Sequence, residues 1–201
     1  MKIIRNAEQK RMPWKNGGGE TVEITRSPSN SNLDTFDWRV SRARIDRAGP
    51  FSSFPGIDRT LCVLDGDGIR LRIGACEPFL LSTDSPPFSF LGEQPVESDL
   101  VRGVVTDLNI MTRRDRFRHH VTVAGNVAIR MPLRACSALV VFSTGTATVV
   151  SPEGKARLER HDAAVLHSQE GEASILPVCR SPLYIVRIRP TALRENSPYG
   201  N

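Results

Sequence analysis

Three short stretches of this 201-residue chain carry polar side chains at every second position, with two arginines and three acids among them. Successive side chains of a strand point to opposite sides. In Phe36-Asp37-Trp38-Arg39-Val40-Ser41, Phe36, Trp38 and Val40 therefore share one face, and Asp37, Arg39 and Ser41 share the other. In Thr21–Thr25, Val22 and Ile24 oppose Thr21, Glu23 and Thr25. From Thr106 to Arg113, Leu108 and Ile110 oppose Asp107, Asn109, Met111 and Arg113. Arg59 opens a further strand just after Phe51 and Phe54. A guanidinium fork matches a carboxylate bidentately, and the two phenylalanines would form an apolar wall or lid. Arg39 is a second candidate anion binder, with Asp37 on the same face placed to neutralise it. Glu23 and Asp107 would form an acid–base pair if their carboxyl groups converged.

Two arrangements fit this pattern. In the first, the polar faces are the wet outer sides of half-buried sheets, and Arg59 pairs with Asp58 or lies exposed on a loop. In the second, they line the mouth of a small barrel, which has room for one ligand. The residues concerned are short and shaped (Thr, Ser, Asn, Asp) rather than Lys and Glu, which suits ordered hydrogen bonding.

Much other chemistry is excluded. Residues 1–118 contain no histidine, so the first half has no site built from two imidazoles and a carboxylate. Of the four histidines, His119 and His120 are adjacent and point to opposite faces of any strand. His161 and His167 have no evident carboxylate or thiolate partner. Cys62, Cys76, Cys136 and Cys179 form no CxxC pair and are expected to be structural thiols. The chain carries no GxSxG elbow, P-loop or GxGxxG. No metal and no cofactor are expected.

The elements that must position these residues are strands. Short β-rich or alternating runs occur at Thr21–Arg26, Phe36–Ile45, Thr60–Leu64, Ile69–Ile73, Phe88–Leu91, Val101–Met111, Val121–Ala124, Ala138–Phe142, Ala147–Val150 and Leu183–Ile188. Glycine and proline punctuate them, and no segment reads as a capped amphipathic helix. The expected class is all-β. Segments 78 positions apart also match: Leu61–Gly68 lies over Leu139–Thr146, Leu80 over Leu158, Asp84 over Asp162, and Ile110 over Ile188. A constant offset of this kind favours two related barrels, a bicupin, divided as residues 1–114 and 115–201.

A net charge of +5 raises nucleic acid as a partner, but the arginines are scattered along alternating strands, which argues against it. The one dense patch, Arg113–His120, reads first as a basic linker between halves. No apolar run approaches the roughly 18 residues of a membrane helix, and the polar N-terminus is unlike a signal peptide. A cytoplasmic protein with no membrane partner is expected.

Several blocks together resemble the HutD/Ves family, cupin-like proteins associated with histidine utilisation and stress response. They are Met12-Pro13-Trp14-Lys15-Asn16-Gly17-Gly18-Gly19-Glu20, Phe36–Ser41, Gly49-Pro50-Phe51-Ser52-Ser53-Phe54-Pro55-Gly56, Asp58-Arg59-Thr60-Leu61 and Asp107-Leu108-Asn109-Ile110-Met111. The resemblance implies a double cupin-like barrel and tips the polar faces toward a pocket. It further implies a small anionic metabolite, urocanate or a formylated glutamate, and a modulating role in histidine degradation. Arg59 and Arg39 would clamp the carboxylate beside Phe54. Thr21, Ser41 and Asn109 would supply neutral hydrogen bonds, with Glu23 and Asp107 orienting them. Asn16 and the glycine triplet would shape the rim. The second barrel would pack against the first or build a homodimer. The alternative is a cofactor-independent isomerase or hydrolase with Glu23 or Asp107 as general base. A third reading makes Arg113–His120 a polyanion-binding segment.

Overall fold

Runs of apolar and β-branched residues too short for helices give strands throughout the computed structural model, which describes residues 1–14, 17–134, 136–178 and 180–191. Among these residues there are nineteen strands and one 3-10 turn, Asn6–Glu8. The first eleven strands are β1 (Lys2–Ile4), β2 (Lys10–Pro13), β3 (Gly19–Ser27), β4 (Trp38–Ile45), β5 (Gly49–Pro50), β6 (Ile57–Asp65), β7 (Ile69–Ile73), β8 (Phe79–Leu81), β9 (Phe88–Leu91), β10 (Val96–Leu100) and β11 (Val105–Arg113). The remaining eight are β12 (Phe117–Ala124), β13 (Ile129–Pro132), β14 (Ala138–Ser143), β15 (Ala147–Ser151), β16 (Gly154–Leu158), β17 (Ala163–His167), β18 (Glu172–Pro177) and β19 (Leu183–Pro190). The class is all-β, as its residue pattern requires.

Four antiparallel sheets result. The orders β2-β3-β4-β11-β6-β9 and β5-β10-β7-β8 belong to the first half of the chain. The second half forms β13-β18-β15-β16 and contributes four strands to β1-β17-β14-β19-β12. The repeat at 78 positions appears here as repeated topology. Leu61 stands opposite Asn109 and Cys62 opposite Leu108 in one half; Leu139 stands opposite Arg187 and Val140 opposite Val186 in the other.

The apolar faces read from alternation have a definite destination. Trp38, Val40, Leu108 and Ile110 pack against Val140, Phe142, Val186 and Ile188, joining the six-stranded sheet to the five-stranded sheet. The opposite face of the six-stranded sheet turns toward the sheet containing β7 and β10, where Ile45, Leu61, Val63, Leu71 and Val105 form a second core. Burial of apolar area drives both contacts. Polar ties reinforce the junction between halves. β1 pairs with β17, Arg5 Nη1 donates to Asp162 at 2.6 Å, and Gln9 Nε2 donates to the His161 carbonyl at 2.6 Å. His119 on β12 bridges the hydroxyls of Thr60 and Thr112, each at 2.7 Å. Burial draws that imidazole down to about 4.

Three expectations need correction. Phe36 lies ahead of β4 and does not share the packing of Trp38 and Val40; it joins Ile57, Met111 and Phe54 instead. Residues 101–104 are not extended, because the chain bends between β10 and β11. The Arg113–His120 segment is no free linker: residues 114–116 form a turn between β11 and β12, and two of its four arginines are ion-paired. Arg114 pairs with Asp58 at 2.5 Å and Glu93 at 2.9 Å, and Arg116 pairs with Asp37.

The glycine triplet has a steric reason at one position. A Cβ on Gly19 would stand 2.2 Å from the Arg44 carbonyl oxygen and 3.2 Å from the Trp14 ring, so β3 runs against β4 only with hydrogen at this site. Gly49, by contrast, has open space around it. Gly19→Ala is expected to cost roughly 1–3 kcal/mol through overpacking, whereas Gly49→Ala should stay within about 0.5 kcal/mol. Urea denaturation of the two variants checks the contrast.

Candidate functional site

Strand register builds the site. On the inward face of the six-stranded sheet, Arg39, Met111 and Arg59 stand in one row across β4, β11 and β6. Ser41, Asn109 and Leu61 form the next row, and Ala43, Asp107 and Val63 the one after. Rows two residues apart share a face and lie about 7 Å from each other. All of these except Leu61 and Val63 line a cavity of about 590 Å³ that also takes in Thr21, Trp14, Phe51 and Phe54. Seven of the nine residues singled out from the sequence (Arg59, Arg39, Ser41, Thr21, Phe54, Asp107 and Asn109) meet there. Glu23 stands behind the lining, and Asn16 lies outside the described residues.

Arg59 is only 5% exposed. Its guanidinium carbon sits 5.3, 5.5 and 5.0 Å from the ring centres of Phe51, Phe54 and Phe90, within cation–π range. Nη1 donates to the Ser52 carbonyl at 3.1 Å, while Nε has no partner. Burial draws the group down to about 10, against the pull of Asp107, so it stays charged at neutral pH. The expected alternative of an Asp58–Arg59 pair fails, because Asp58 is bonded to Arg114.

Arg39 is already neutralised, by Glu23 rather than Asp37. Its Nε donates to Glu23 Oε2 at 2.8 Å, and Arg26 approaches Glu23 Oε1 at 3.5 Å. Asp37 is held by Arg116 instead. Glu23 is thus an ion-pair partner and poorly placed to act as a base. The swap follows from register: Glu23 stands directly opposite Ser41, one alternation from Arg39 on the neighbouring strand.

Asp107 is 1% exposed, and its Oδ1 has no hydrogen-bond partner among the described residues; nor has Asn109 Oδ1. Buried polar atoms without partners are uncommon and call for a reason. Burial pushes the Asp107 carboxyl up to about 7, with Arg59 and the Ala43 N–H pulling it back. Arg59 Nε, Asp107 Oδ1 and Asn109 Oδ1 therefore offer one donor and two acceptors to whatever enters. The second half is different. Leu139, Val141, Leu183 and Ile185 fill the equivalent interior with apolar side chains.

Sequence reasoning missed Met12, Trp14 and Ala43 as lining residues. Trp14 Nε1 donates to Thr21 Oγ1 at 2.8 Å, which swings the indole over the cavity. The glycines beside it were the available signal. Among the described residues no three His, Cys, Asp or Glu side chains are grouped to hold a metal ion, and a cation here would face Arg59. The cavity does not fit a metal centre.

The all-β fold is cupin-like in its likeness to solved structures. An oxalate decarboxylase from Bacillus subtilis superposes with a TM-score of 0.60 over 93% of this chain and 76% of its own, at 9% identity, a likeness of fold alone. HutD from Pseudomonas fluorescens SBW25 superposes with a TM-score of 0.83 at 28% identity, covering 94% of this chain and 98% of its own. A conserved protein of unknown function from Pseudomonas aeruginosa PAO1 gives 0.82 at 29% identity, with the same coverage. The sequence model of the HutD family matches residues 6–180, and the chain belongs to that family. An uncharacterised 21.2 kDa protein from the hutC 3′ region of Pseudomonas putida is 44% identical over 119 residues, 59% of this chain and 61% of its own length. Protein Ves of Cronobacter sakazakii is 41% identical over 119 residues, 57% of this chain and 64% of its own. The match thus spans less than two thirds of these relatives. Among the described residues no helix is long and apolar enough to cross a membrane.

Asp107 leaves a signature in stability. Its folded carboxyl titrates near 7, above the ordinary 3.8, so the folded state holds a proton that the unfolded state has released. Its contribution is fully present below about pH 3.8 and is lost as pH rises through about 7. Asp107→Asn removes this dependence. The stability of the variant relative to wild type should rise by about 1–3 kcal/mol between pH 4 and pH 8, read from urea midpoints across that range.

Proposed function

We propose that the chain is a cytoplasmic bicupin, with a ligand-binding barrel in residues 1–114 and a supporting barrel in residues 115–201. In this reading it binds a small carboxylic acid and modulates histidine utilisation. The carrying observation is the set of three buried, unpartnered polar atoms (Arg59 Nε, Asp107 Oδ1 and Asn109 Oδ1) around one cavity with an aromatic wall. An acid bearing an N–H or O–H group suits all three: its carboxylate faces Arg59 and lies beside Asp107, and its donor faces Asn109 Oδ1. Urocanate and formylglutamate both have this form. Arg39 serves as part of the frame in this account, because Glu23 holds its charge. Family membership and the likeness to HutD support the assignment to histidine utilisation.

A second reading is favoured by one feature. A carboxyl titrating near neutrality in a cleft is what a general base needs. A cofactor-independent isomerase or hydrolase would use Asp107, since Glu23 is ion-paired.

Melting temperatures measured with urocanate, formylglutamate, histidine, glutamate and formate separate these outcomes. A ligand at 100 times its Kd stabilises the protein by about 2.7 kcal/mol. One acid is expected to raise the melting temperature of wild type, and the rise should shrink in Arg59→Lys and vanish in Arg59→Ala. Asn109→Ala provides a second variant that leaves the aromatic stack intact. Shifts that persist in all three variants, or no shift with any acid, would sink the proposal. Turnover of the bound acid that disappears in Asp107→Asn while binding remains would establish the enzymatic reading.

A further inference from the structure

The charges around the cavity cancel before any ligand arrives. Asp107 on β11 is faced by Arg59 from β6, by Arg39 and the Ala43 N–H from β4, and by Asn109 on its own strand, while the Cys62 thiol of β6 lies on the reverse face of the sheet. The thiol is neutral, since burial and the Asp107 charge push it up to about 12. Glu23 from β3 balances Arg39. Among the described residues of the lining that leaves one cation, Arg59, and one group able to carry negative charge, Asp107. Both are at least nine-tenths buried.

With Asp107 ionised, an incoming carboxylate would bring a second negative charge to Arg59. Two carboxylates sharing a buried site do not both ionise; one retains a proton. The ligand's carboxylate belongs on Arg59, which has the unpartnered Nε. Asp107 is then the group that must be neutral. Its buried Oδ1, without a partner, becomes a donor once protonated and satisfies a carboxylate oxygen.

We propose that an acid enters this cavity together with one proton, taken from solvent onto Asp107, which then donates a hydrogen bond to the ligand while Arg59 faces its charge. The inference rests on the acid-binding function proposed above and adds a regulatory consequence: occupancy follows pH as well as ligand concentration. A fall in pH toward the acid side of neutrality fills the site at constant ligand, and a rise empties it.

Calorimetric titration with formylglutamate, and in parallel with formate, tests this on the intact chain. Neither compound has a group that titrates between about pH 6 and pH 9, so any proton change belongs to the protein. Heats measured near pH 8 in phosphate and in Tris should differ by the ionisation heat of close to one proton per site. The affinity should weaken about tenfold per pH unit above the point where the free site ionises. In Asp107→Asn, buffer dependence should vanish and affinity should become flat with pH. Binding by wild type with no proton uptake and a flat pH profile overturns this inference and leaves the proposed function standing. Absence of binding by both acids at pH 6 and pH 8 overturns the two together.

Discussion

A guanidinium held inside an apolar sandwich is the constraint on which the first half of the molecule is organised. Charges are rarely buried without a partner, because desolvation costs far more than packing returns. Arg59 meets that condition through neighbours that are each only partly sufficient. Three phenylalanine faces, one carbonyl and the opposing carboxyl of Asp107 hold it, and Nε is left over. Phe51 and Phe54 lie between β5 and the turn that leads into β6, and Phe90 comes from β9, so the loop before β6 and the edge strand are both committed to one side chain. Removing the arginine would leave those rings without their common centre.

The two halves share strand order and much of their register, and they put it to different uses. In the second half the inward positions are Leu139, Val141 and Ile185, and the interior closes as an ordinary core. In the first, the row containing Asp107 and the row containing Asn109 keep polar atoms where apolar ones would pack better. The cost is borne by the remainder of the fold. The junction of Trp38, Val40, Leu108 and Ile110 with the five-stranded sheet makes the reverse side of those same strands rigid. A strained or incompletely satisfied site is tolerable on strands whose other face is well packed.

Much of this was legible before any coordinates, for a physical reason. Strand alternation is a local rule, so β4 and β11 announce which side chains share a face, and the offset of 78 announces a repeated unit. Arg59 stood out because aromatic residues precede it closely. Pairing across strands is not local. That Arg39 would meet Glu23 and not Asp37 depends on the register of β3 against β4, including the irregularity between Glu23 and Thr25. Trp14 was readable as a motif residue, but its swing over the cavity depends on Thr21 and on the absence of a Cβ at Gly19. Strands of two to four residues such as β1, β5 and β8 carry too few positions for a period to show. Their place is decided by partners far away in the chain, as with β1 on β17.

The central claim is that the unpartnered Nε of Arg59 faces a ligand carboxylate. Nitrogen-15 NMR of the arginine Nε–H signals, assigned through Arg59→Lys, follows that atom during titration with formylglutamate, urocanate and formate. The account predicts that the Arg59 signal moves saturably with one of these acids and becomes protected from solvent exchange, while the Arg39 signal, already bonded to Glu23, changes little. An Arg59 signal that stays fixed while the acid binds would contradict it.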